Sequence, residues 1–178
     1  MTRIIALSDT HLEESLPANL AEVLEGADLI LHAGDFVSPA AYRSISSLSR
    51  LEAVCGNADQ PQLKRILPER RTLAVDGVRI GIVHMASLSD SLIGAKMLAR
   101  EMEVEVLVFG HLHRPVVERG ERLLICPGSP ILPRMAAPTV AELEVEGGRV
   151  RGRIVSLGRP SCDYLRHAET LIERDLKK

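Results

Sequence analysis

Seven side chains able to bind a metal ion recur at one kind of position along this chain. Asp9 and His11 follow the apolar run 4–8, and Asp35 follows the apolar run 29–34. Asn57 follows 53–56, and His84 follows 80–83. His111 and His113 follow 106–110. Each run reads as a buried strand, and in α/β sheets sites assemble just beyond the carboxyl ends of strands. The seven groups can therefore converge although more than a hundred residues separate the first from the last. Gly34, Gly56 and Gly110 each stand directly before one of them, where a missing side chain permits a sharp turn and close backbone approach.

Two carboxylates, one amide and four imidazoles form a mixed oxygen and nitrogen set. Such a set suits Mn, Fe, Zn, Ni or Co better than Ca or Mg, which favour all-oxygen shells. Seven ligands are too many for one catalytic ion that keeps an open position. They suffice for two ions if a carboxylate bridges, and an ion pair clamps both oxygens of an in-line phosphoryl displacement. Taken singly, each group has a plainer reading. Asp9 can cap the turn at Leu12, and His84 can be a packed histidine at a strand end. The stretch Gly56-Asn57-Ala58-Asp59 can be a turn. Joint placement at strand ends is what raises the metal reading above these.

The elements around the ligands alternate at first between strand and helix. Strands are expected at 3–8, 28–33 and 50–55. A helix is expected at 17–26 and another at 38–49, with Ser38 as N-cap and Pro39 in the first turn. This alternation predicts βαβ units and a parallel sheet. After about residue 70 hairpins dominate. Asp76-Gly77 separates 72–75 from 78–84, Gly120 separates 116–118 from 123–126, and Gly147-Gly148 separates 139–145 from 150–157. A helix is expected at 89–101, with Leu92, Ile93, Leu98 and Met102 on one side. Two packed sheets in an α/β layering fit this pattern better than a single doubly wound sheet.

In order and type, Asp9-Thr10-His11, Gly34-Asp35, Gly56-Asn57, His84 and Gly110-His111-Leu112-His113 resemble the calcineurin-like metallophosphoesterases. The short chain, and Cys126-Pro127-Gly128-Ser129 after a hairpin, resemble the compact YfcE-type phosphodiesterase branch. The resemblance covers residues 1–157. It implies a four-layer α/β/β/α sandwich in which Asp9, His11, Asp35 and His113 hold one metal. Asp35, Asn57, His84 and His111 would hold the other, with Asp35 shared. It also implies two divalent transition-metal ions, manganese foremost, and a hydroxide between them as nucleophile. The ions outweigh the carboxylates and hydroxide, leaving a net positive site for a phosphate-ester small molecule. Arg114, next to His113, is the candidate contact to the substrate phosphate. The chain departs from the pattern at three points. Ala58 and Ala86 stand where many relatives carry histidines, and Cys126 replaces a usual Asn. A chain without those imidazoles is expected to depend steeply on the stability of the leaving anion.

Composition excludes several alternatives. Lys and Arg number 22 against 24 for Asp and Glu, and there are two Tyr, two Phe and no Trp. A general nucleic-acid footprint and base-stacking platforms are thus disfavoured. No apolar run is long enough to span a bilayer, and residues 1–7 lack the form of a signal peptide. Cys55, Cys126 and Cys162 are scattered, so they read as reduced thiols of a cytoplasmic protein. His32, inside an apolar run, is expected to be a satisfied core histidine. Arg149, Arg151 and Arg153 alternate along one strand face, expected to be solvated. Residues 158–178 read as an amphipathic helical extension rather than a second domain, with docking on its own domain or in a homo-oligomer as its expected role. The rival to an enzyme is an interaction scaffold of the retromer-subunit type.

Overall fold

The computed structural model describes residues 1–14, 16–86 and 92–160. The expected helix start at 89–91 and the amphipathic tail from 161 onward lie outside these residues. In chain order come β1 (Thr2–Leu7), α1 (Ala18–Leu24), β2 (Leu29–His32), α2 (Pro39–Ser46), β3 (Leu51–Ala53) and α3 (Pro61–Ile66). Then follow β4 (Arg70–Val75), β5 (Val78–Val83), α4 (Ile93–Glu101) and β6 (Val106–Phe109). The remainder is β7 (Pro115–Arg119), β8 (Leu123–Pro127), β9 (Thr139–Glu146) and β10 (Arg149–Ser156).

Among the described residues these strands form two five-stranded mixed sheets, ordered β10-β9-β1-β2-β3 and β4-β5-β6-β8-β7. β1, β2 and β3 run parallel, the outcome of two consecutive βαβ units. β5, β6 and β8 run parallel in the second sheet. The three glycine-marked hairpins are antiparallel as expected. At the first, Asp76 and Gly77 both take positive φ, which a two-residue hairpin turn demands.

Apolar side chains explain the layering. Ile4, Ala6, Leu29 and Leu31 of the first sheet meet Ile80, Ile82, Val106 and Val108 of the second in one buried cluster. The alternate positions Ile5, Leu7 and Ile30 face Leu20 and Leu24 of α1, Ala41 and Ile45 of α2 and Leu63 of α3. Leu107, Phe109 and Leu124 face Ala95 and Ala99 of α4. The result is helix, sheet, sheet, helix, with central strands such as β2 and β6 buried on both faces. Ser38 caps α2 by accepting the amide of Ala41 at 3.0 Å.

Two features differ from the sequence reading. α3 was not foreseen, because Leu63 alone of its six residues is buried and no period shows. On α4, Leu92 is buried and Leu98 and Met102 pack against the core, but Ile93 is 61% exposed. The buried line of α4 is Ala95 and Ala99, whose small side chains let the helix lie close to the sheet. Arg149, Arg151 and Arg153 do point to solvent. Arg153 pairs with Glu142, which also accepts from Arg3 at 2.8 Å. No helix among the described residues is long and apolar enough to cross a membrane.

Candidate metal centre

The parallel strands of both sheets deliver the seven predicted groups to one edge of the sandwich. β1, β2 and β3 end in Asp9 with His11, Asp35 and Asn57, and β5 and β6 end in His84 and His111 with His113. The loops are sewn together by main-chain bonds. Asp9 donates to Gly34 and His11 to Asp35, each at 3.0 Å, and Gly110 donates to His84 at 2.9 Å.

Each carboxylate has one oxygen pinned and the other turned inward. Asp9 Oδ2 accepts the hydroxyl of Ser8 and the amide of His111, the latter at 3.0 Å. Asp9 Oδ1 is buried without a hydrogen-bond partner among the described residues, 3.4 Å from His113 Nε2. Asp35 Oδ1 accepts the amide of Ala58 at 2.7 Å. Its Oδ2 stands 3.6 Å from His11 Nε2 and 3.4 Å from His84 Nε2.

The imidazoles obey the same logic. His84 Nδ1 donates to the carbonyl of Ala33 at 2.8 Å, and His113 Nδ1 to that of Leu132 at 2.7 Å. A carbonyl acceptor fixes the ring proton on Nδ1 and leaves Nε2 for a metal. His11 Nε2 is buried with no hydrogen-bond partner among the described residues. Asn57 Oδ1 lies 2.9 Å from His84 Nε2 and 3.0 Å from His111 Nδ1. Two sets, Asp9 with His11 and His113, and Asp9 with Asp35 and His84, thus present convergent ligand atoms. Orphaned buried acceptors of this kind are costly unless something positive joins them, so the donors fit divalent cations.

Burial and charge act on the same groups. Burial holds the imidazoles of His11 and His111 below their ordinary pKa, favouring the neutral form that binds metal. At His84 burial also opposes charge, but the hydrogen bond and charge of Asp35 outweigh it and raise the value. At Asp35 burial works against ionisation, and the interactions with His84, the Ala58 amide and His11 bring the carboxyl below its usual range.

The backbone is strained around the ligands. Asp9, His11, Asp35, His111 and His113 all adopt positive φ, and so does Val37 at 82°. A β-branched residue there is a true outlier, of the kind found where surrounding bonds over-determine the chain. The clamp is Asp59, whose buried carboxylate was read from sequence only as part of a turn. Its Oδ2 accepts the amides of Asp35 at 3.2 Å and Gly56 at 2.7 Å, and its Oδ1 that of Val37 at 2.7 Å. Ser129 is a second unforeseen brace: it donates to the carbonyl of Asp9 at 2.6 Å and accepts the amide of Leu132 at 2.8 Å.

The three glycines behave as their positions suggested. A Cβ on Gly56 would collide with Asp35 Oδ1, and one on Gly34 would stand 2.8 Å from the Gly56 nitrogen. One on Gly110 would collide with Ser8 Oγ and stand 2.8 Å from the Ala33 carbonyl. Gly110→Ala is therefore expected to cost about 1–3 kcal/mol and to displace Asp9. Thermal unfolding and metal content measure the two effects together; an unchanged variant would mean the loop has slack.

The other residues singled out divide. Arg114 is half-buried beside His113. His32 is fully buried, 3.1 Å from Thr10 Oγ1 through Nε2 and stacked on Phe36. Its Nδ1 lacks a hydrogen-bond partner among the described residues, so the expected satisfied histidine is satisfied at one nitrogen. Ala58 is exposed and Ala86 is buried. Cys55 and Cys126 are thiols, and burial pushes Cys126 up to about 12, which removes it as a nucleophile.

Residues 2–148 match the calcineurin-like phosphoesterase superfamily domain. The chain is 31% identical over 165 residues to a probable metallophosphoesterase of Methanothermobacter thermautotrophicus, a match covering 89% of this chain and 95% of that protein. It is 32% identical over 146 residues to a probable metallophosphoesterase of Methanocaldococcus jannaschii, covering 79% and 74%. In fold it is similar to Vps29 of Chaetomium thermophilum, with a TM-score of 0.72 and 21% identity over 90% of this chain and 100% of that one.

Proposed function

The chain belongs to the calcineurin-like phosphoesterase superfamily, and we propose that within it the protein is a dinuclear phosphodiesterase of the compact YfcE type. The observation that carries this reading is the pair of buried acceptors, Asp9 Oδ1 and His11 Nε2, without hydrogen-bond partners among the described residues and beside ligand atoms of His113, Asp35 and His84. In this reading Asp9, His11, Asp35 and His113 hold one ion and Asp35, Asn57, His84 and His111 the other. Asp35 would be the shared residue, a reading supported by its Oδ2 lying near His11 of one group and His84 of the other. When bound, the two ions, manganese by preference, supply a hydroxide near neutral pH and positive charge against the phosphoryl oxygens.

The protein's own part is to hold these groups still. Carbonyls of Ala33 and Leu132 fix two imidazoles, and Ser8, Ala58 and the His111 amide fix two carboxylates. In this reading Arg114, next to His113, contacts a non-bridging oxygen of the substrate phosphate. The test joins elemental analysis with turnover of bis-p-nitrophenyl phosphate. About two equivalents of metal per chain and chelator-sensitive hydrolysis are expected. Metal without turnover would favour the scaffold alternative, and no bound metal would remove the reading altogether.

A further inference from the structure

The buried cluster beneath α1, α2 and α3 reaches the surface beside the metal-site loops. Leu12, Leu16, Ile131 and Leu157 pack against it but stay partly exposed. They come from three stretches that the fold brings together: the loop after β1, the loop between β8 and β9, and the end of β10. Ser129 donates to the carbonyl of Asp9 at 2.6 Å and so joins the first two. The Leu157 amide donates to the carbonyl of Pro138 at 2.8 Å and joins the last two. Next to Ile131, Leu132 is 52% exposed and Met135 70%. Large apolar side chains gathered in this way, rather than scattered singly, mark a surface that another element covers.

The chain itself supplies a cover. Pro160, three residues past Leu157, is buried, and the amphipathic segment 161–178 follows it directly. In that segment Tyr164, Leu165, Ala168, Leu171, Ile172 and Leu176 recur at spacings of three and four, the pattern of one helix face. Eighteen helical residues extend about 27 Å, enough to run across a patch built from three stretches. Tyr164 lies seven residues beyond Leu157, a link of at most about 25 Å. So short a link holds the segment near the patch at an effective concentration of about a millimolar, which favours docking within the chain over docking on a second copy.

We propose that residues 161–178 form a helix whose apolar face docks on Leu132, Met135 and the partly exposed leucines beside them, and so braces the loop that orients His113. That loop is tied to His113 twice. The Leu132 carbonyl accepts from His113 Nδ1 at 2.7 Å, and the Arg134 amide donates to the His113 carbonyl at 2.9 Å. The extension thus fastens a metal-site loop from outside. This role concerns the chain's own packing and stands apart from the phosphodiesterase reading.

Hydrogen exchange of the full chain tests it without any need for turnover. Amides of 164–176 should exchange about 10²-fold or more slower than in an unstructured peptide, as burial of a few large apolar side chains gives. Leu132→Ser combined with Met135→Ser should cut that protection at least about tenfold while the core strands stay protected. Leu171→Asp combined with Ile172→Asp should abolish it, and the amides of Leu132 and Arg134 should then exchange faster. Glu173→Gln, on the opposite face of the helix, should change neither. Unprotected amides in the unmodified chain would overturn the proposal. Protection that survives Leu132→Ser with Met135→Ser would overturn it too, by placing the segment elsewhere. Protection that grows with protein concentration, with a doubled mass in solution, would overturn it in favour of a second copy. Unchanged exchange at Leu132 and Arg134 in the Leu171→Asp, Ile172→Asp chain would overturn the bracing role.

Discussion

Asp35→Asn is expected to lose most of the bound metal and to lower hydrolysis by about 10³-fold or more. A metal pair contributes several kcal/mol to stabilising transition-state charge, and each 1.36 kcal/mol is worth about a factor of ten. Asp35 is the sensitive point because its oxygens do different work. Oδ1 is taken by the Ala58 amide, and Oδ2 faces both His11 and His84. An asparagine offers one carbonyl oxygen for these two tasks. If it serves Ala58, an amide NH₂ faces the cations; if it turns, the Ala58 amide is orphaned. Asp9→Asn should mainly weaken the ion held with His11 and His113, since Asp9 Oδ1 points there. Elemental analysis of both variants decides the matter. Unchanged stoichiometry in Asp35→Asn would rule out a shared carboxylate.

Asp59→Ala should be the most destabilising substitution near the site. Three amides, those of Asp35 and Gly56 buried and that of Val37 half-buried, would lose their acceptor at once. Each unsatisfied buried donor costs about 1–3 kcal/mol, so a loss of about 2–6 kcal/mol is expected, which lowers the melting temperature by roughly 10 °C for a chain of this size. The left-handed backbone at Asp35 and Val37 would lose its clamp as well, so metal affinity should fall with stability. Asp59→Asn retains one acceptor and should fall between the two. Thermal unfolding with and without added metal measures both quantities. An alanine variant that melts and binds metal like the original would show that the turn holds itself.

What could be read from the sequence follows from where information is local. The strands, hairpins and capped α2 are encoded in apolar runs, Gly pairs and the Ser38-Pro39 start, and all are present. The seven candidate ligands were visible because each sits directly after an apolar run or, for His11 and His113, two residues further on, and the fold brings the ends of those runs together. Asp59 was not visible as a clamp, since an Asp after Asn in a short polar stretch reads as a turn former. Only the meeting of the loops after β2 and β3 gives it three amides. α3 was missed for a related reason, since Leu63 alone is too short an apolar signal to mark a helix. The face of α4 was misjudged at Ile93 because periodicity counts large apolar residues, whereas close packing selected Ala95 and Ala99.

The metal-site groups come from the ends of strands in both halves of the sandwich, across residues 9 to 113. No stretch of chain carries the set, and local contacts cannot assemble it before long-range strand pairing is complete. A metal ion meeting a partly folded chain thus finds only fragments of its coordination sphere. Contacts made this late belong to the native state rather than to the rate-limiting barrier, so ions stabilise by slowing escape from the folded state and leave the speed of folding nearly untouched. They would act on this chain as a latch rather than as a nucleus, drawing the two sheets together at one edge after everything else has closed.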